Sequence, residues 1–94
     1  MSPIKMSTQL IACILAATSF VALADPTCTQ QPESTWIPIE QAQQRVEEMG
    51  YKIKVFKRTH TSCYELYGHT KQGKRAEIYF NPTNMEKVKE EIDD

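Results

Sequence analysis

The order of hydrophobic and polar positions divides this chain into three rhythms. From Leu10 to Leu23 every residue is apolar or small and none is charged. Further on, Ile39, Ala42, Val46 and Met49 recur at i, i+3, i+7 and i+10, the spacing of one helical face. Gln41, Gln44, Arg45 and Glu48 fill the opposite face, Pro38 suits the first turn, and Gly50 stands where a left-handed cap belongs. The pattern predicts a helix over 38–49. The rhythm then shortens to two. Residues 51–58 (YKIKVFKR), 63–69 (CYELYGH) and 75–81 (RAEIYFN) each alternate, with turn residues between them (Thr59 to Ser62, then Thr70 to Gly73). These predict three short strands in an antiparallel meander, closed by Pro82. The tail from Met85 to Asp94 reads either way: Met85, Val88 and Ile92 fit a helical face, and Met85 to Val88 fit a short fourth strand.

Strand parity assigns the faces. Ile53, Val55, Tyr64, Leu66, Ala76, Ile78 and Phe80 share one side, which matches the apolar stripe of the helix and is expected to form the core. Lys52, Lys54, Phe56, Cys63, Glu65, Tyr67, Glu77 and Tyr79 share the other. Lysine and glutamate there can pair across strands for a few tenths of a kcal/mol. Phe56, Tyr67 and Tyr79 are left over on that face. Two readings stand: a cover supplied by the chain around Cys28, or a partner-binding surface of aromatics rimmed by charge. The architecture expected is α+β, an N-terminal helix on a three-stranded antiparallel sheet with a fourth element at the C-terminus.

The first rhythm changes the organisation of the chain. Lys5 precedes it, and Ala22-Leu23-Ala24 ends it with a small-x-small cleavage pattern before Asp25. The run of about 14 residues is short of the roughly 20 that a spanning helix needs. Residues 1–24 therefore read as a secretory signal peptide, and the processed protein is expected in the periplasm or the medium, with no membrane insertion. Leu10-Ile11-Ala12-Cys13 fits a lipoprotein box, but such a box follows an apolar stretch, and this one precedes it. Residues 25–35 (DPTCTQQPEST) are polar with two prolines and read as a tail, and 36–94 as the folded domain.

Loss of Cys13 with the leader leaves Cys28 and Cys63, an even pair in an oxidising compartment. A disulfide between them closes a loop of about 36 residues and contributes about 3 to 4 kcal/mol in the chain-entropy treatment. That is a large share for a domain this small. Residues 25–94 hold all 12 acidic residues and every basic one except Lys5, so the domain is close to neutral. A nucleic-acid partner, which needs a clearly basic face, is not expected.

Taken together, a helix ending in Gly50-Tyr51, a strand Cys63-Tyr64-Glu65-Leu66 and the run from Gly73 to Pro82 (GKRAEIYFNP) resemble a PepSY domain, in the form of small stand-alone exported bacterial proteins. The resemblance covers about residues 36–89. The family usually follows its third strand with an Asp-Pro-x-Thr-Gly type turn. Here Asn81-Pro82-Thr83-Asn84 stands in its place, with Asn84 or Met85 at the glycine position. The resemblance implies a short strand after this turn, no catalytic residues, and a binding or regulatory role toward a protein, such as a peptidase or a membrane-associated protein.

Other chemistry is poorly supported. His60, Cys63, His69 and Cys28 are zinc-ligand types, but a cysteine oxidised to a disulfide is no thiolate. An envelope protein that handles metal or ligand through His60 and His69 is the alternative reading. Glu47-Glu48 and Glu90-Glu91 are sequence neighbours that do not share a helical face, so neither forms an acid–base couple. With three glycines in the chain there is no phosphate loop, and no cofactor is expected. The domain is expected to be a monomer.

Overall fold

A computed structural model describes residues 25–93. Residues 1–24, expected from the sequence to be a signal peptide and containing Cys13, lie outside the described residues. A short 3-10 helix (Glu33–Thr35) leads into α1 (Ile39–Glu48), followed by β1 (Lys52–Arg58), β2 (Tyr64–His69), β3 (Arg75–Phe80) and β4 (Lys87–Asp93). The strands form one antiparallel sheet in the order β1-β2-β3-β4. The architecture is α+β.

The helix begins where Pro38 offers its carbonyl to the N–H groups of Gln41 and Ala42, both at 2.9 Å. Past its last residue, Glu48, and the Met49 cap, Gly50 takes a φ of 101°, where glycine carries no Cβ penalty. Ala42 and Val46 are fully buried. They pack with Tyr64, Leu66, Ala76, Ile78, Phe80 and Met85 into the main core, and Trp36, Ile37, Ile39, Tyr51, Ile53 and Phe56 pack around it. Met49 belongs to the same stripe by spacing but is exposed. Met49 is the C-cap residue, one position past Glu48, the last residue of the helix.

Strand β1 departs from simple parity. Ile53 pairs with Gly68 and Val55 with Tyr67, so Lys54 is the extra residue of a β-bulge. Gly68 permits it: a Cβ there would sit 2.0 Å from the Lys52 carbonyl oxygen. Beyond the bulge the faces exchange. Val55, expected in the core, is exposed on the outer face. Phe56, expected outside, packs on the core with its ring centroid 5.7 Å from that of Tyr64.

The tail is a strand. Asn81 closes the turn before it, its side-chain oxygen accepting the Thr83 N–H at 2.9 Å and the Thr83 hydroxyl at 2.7 Å. Met85 takes a φ of 64°, the left-handed position, and inserts its side chain into the core. β4 then pairs with β3 along its length, with a second irregularity at Val88. β3 is therefore an inner strand, and the free edges of the sheet are β1 and β4.

Candidate functional site

The face of the sheet away from α1 is built in cross-strand rows. One row is Lys57, Glu65, Tyr79 and Lys89; the next is Val55, Tyr67, Glu77 and Glu91; a third is Lys52, His69, Arg75 and Asp93. Aromatic and charged residues thus interleave, but the face is divided into two unlike regions.

At one corner the N-terminal segment lies over the sheet. Cys28 is joined to Cys63, and the two pack with Tyr79 in a small second core. The Cys28 N–H donates to the Thr61 carbonyl at 3.2 Å, and Glu33 pairs with Arg58. Tyr79 is only 6 % exposed. Its hydroxyl donates to Asp25 Oδ1 at 3.1 Å and lies 3.3 Å from Glu77 Oε2. One phenolic proton thus serves two carboxylates. Burial, then the Asp25 carboxylate, pushes the Tyr79 phenol well above its usual range. Burial, followed by the hydrogen bond with Glu77, likewise raises the Glu65 carboxyl, against the pull of Lys57 at 3.9 Å. The Lys89 ammonium sits 5.8 Å from the Tyr79 ring centroid, within cation–π range.

The other corner is open. Tyr67 is 36 % exposed beside exposed Val55. A groove of about 190 Å3 runs beside it, lined by Tyr67, Arg75, Ala76, Glu77, Glu91 and Asp93. Arg75 and Asp93 pair at 3.1 Å across one end. Glu77 and Glu91 stand directly opposite one another. The surface offers one aromatic ring, a branched aliphatic and an acidic border, the composition of a protein contact more than of an enclosed ligand pocket.

Of the three aromatics expected on this face, the structure leaves only Tyr67 open to solvent. Tyr79 is on the face but covered, and Phe56 is on the opposite side. Val55 takes the place of Phe56, a substitution signalled in the sequence by Gly68, since an isolated glycine inside a strand marks a bulge or a close backbone approach. His60 lies in the β1–β2 turn and His69 at the far end of β2, so the length of a six-residue strand separates them, about 20 Å. Among the described residues no group of three His, Cys, Asp or Glu side chains could hold a metal.

The family model of the peptidase propeptide and YPEB domain matches residues 8–91. The chain belongs to the PepSY family. PepSY domains are generally non-catalytic, propeptide-like units, and the family is associated with peptidase regulation. Neither the curated proteins nor the solved structures contain a match to the chain. No helix among the described residues is long and apolar enough to cross a membrane.

Proposed function

We propose that the protein is an exported, non-catalytic PepSY domain that binds and regulates another protein of the envelope or medium, a peptidase first among them. The observation that carries this reading is the family match over residues 8–91. The open corner of the outer sheet face supports it, since it presents Tyr67 and Val55 with an acidic border while the opposite corner is closed by the protein's own chain. An aromatic ring on a rigid strand is a common anchor of protein contacts.

The export part of the reading rests on the leader pattern and on the two cysteines, whose disulfide suits an oxidising compartment. The intact mass of the exported product tests it. A product that begins at Asp25 and takes up alkylating reagent only after reduction agrees with export. A product that retains residues 1–24 contradicts it. The regulatory part is tested by adding the purified protein to exported peptidase activity from the producing cell. A saturable change in that activity is expected, and no change at any concentration would sink the reading.

A further inference from the structure

The two free edges of the sheet are unlike. β1 lies under the helix, whereas β4 has β3 on one side and no strand on the other. A free edge strand carries unpaired N–H and C=O groups that another chain can join. Laid antiparallel beside a second copy, β4 is complementary to itself. About a two-fold axis at Glu90, Val88 meets Ile92 of the second copy, and Lys89 meets Glu91 of the second copy. The symmetry repeats both pairs. We propose that the protein self-associates through β4, edge to edge, as a two-fold dimer with one continuous sheet. This departs from the monomer that the sequence alone leads one to expect.

Three observations favour a second copy as the occupant of this edge. First, Val88 and Ile92 are the exposed aliphatics of β4, at 43 % and 39 %, and the pairing brings each against the other. Second, Glu91 faces Glu77 within its own sheet, an unfavourable like-charge pair, and no ion pair among the described residues holds it. Lys89 of the second copy supplies its counter-charge. Third, the mismatched residue at the axis is already neutralised: each Glu90 carboxylate is held by its own Lys87 at 3.0 Å. The irregularity at Val88 bounds the regular part of the edge, so the ladder is short and the dimer is weak and reversible. A two-fold axis normal to the sheet keeps both outer faces, with their Tyr67 side chains, on the same side of the assembly.

Sedimentation equilibrium of the disulfide-intact protein, from about 10 μM to 1 mM, reads the association. A dimer whose population grows with concentration and falls with added salt is expected. Lys89→Glu and Glu91→Lys should each weaken it by about tenfold, since each puts two like-charged pairs at the edge. The double variant Lys89→Glu/Glu91→Lys should regain the wild-type association. An equimolar mixture of the two single variants should form a heterodimer tighter than either homodimer. Lys89→Glu also gives up the Lys89 contact with the Tyr79 ring, so a retained cooperative thermal transition, rather than an unchanged midpoint, verifies folding of each variant. A protein monomeric throughout the range overturns the proposal. So does a dimer indifferent to the single substitutions, or a mixture that behaves as its separate components.

Discussion

Tyr67 and Tyr79 lie on neighbouring strands and on the same face of one sheet, yet one is open and the other is enclosed. Strand parity treats them alike. What separates them is a cross-link between positions 35 apart in sequence, Cys28 and Cys63: the disulfide pins the N-terminal segment over Tyr79 and stops short of Tyr67. The covered corner is a second core, with a phenol hydrogen-bonded to Asp25 and a pair of carboxyls pushed together. The open corner has a groove with a tyrosine beside it. Whether an aromatic on a sheet face serves stability or recognition is decided by the chain that crosses it, and that is a tertiary fact.

The comparison breaks most completely if the strap is released. Replacing both cysteines by serine should lower stability by about 3 to 4 kcal/mol. It should also expose Tyr79, so that the two tyrosines react alike toward a phenol-nitrating reagent; denaturant titration and mapping of nitrated peptides check both. A second route goes through β1. Gly68→Ala puts a methyl against the Lys52 carbonyl and should cost about 2 to 3 kcal/mol, read as a lower denaturation midpoint. Because Gly68 allows the bulge, this change also bears on which of Val55 and Phe56 faces out.

Tyr79→Phe is smaller in effect. It removes the hydrogen bond to Asp25 while keeping the ring, and a loss of about 1 kcal/mol is expected, whereas Tyr67→Phe should leave stability unchanged. Glu65 provides the finest test. Its carboxyl titrates above the usual glutamate range in the folded protein, so the folded state binds the proton more tightly than the unfolded one. Its contribution is present in full below the unfolded value and is lost as pH rises through the raised folded value. Glu65→Gln should therefore raise the thermal midpoint at neutral pH and flatten its decline as pH rises through the weakly acidic range. A variant with the wild-type pH profile would remove Glu65 from the description of the covered corner.

Much of the fold was legible in the residues because periodicity is a local property. The helix shows in Ala42 and Val46, and three strands in their alternation. The chain was harder to read where a single position overrides the pattern. Gly68 lets β1 slip by one residue, which exchanges Val55 and Phe56. Met85, Val88 and Ile92 fit a helical face, yet Met85 is the left-handed end of a turn and the other two are exposed residues of an edge strand. An edge strand has one neighbour, so its alternation is weak. The disulfide was legible from counting cysteines. Its effect on Tyr79 was not, since the path of a polar, proline-containing segment leaves no periodic trace.

The most direct test of the open corner is a comparison of the wild-type protein and Tyr67→Ala, both disulfide-intact, as modulators of exported peptidase activity. Tyr67→Ala should fold with a stability within about 0.5 kcal/mol of wild type, as expected for an exposed side chain, and should lose most of the modulation. Modulation of equal strength by both proteins would contradict the assignment of the partner to this corner.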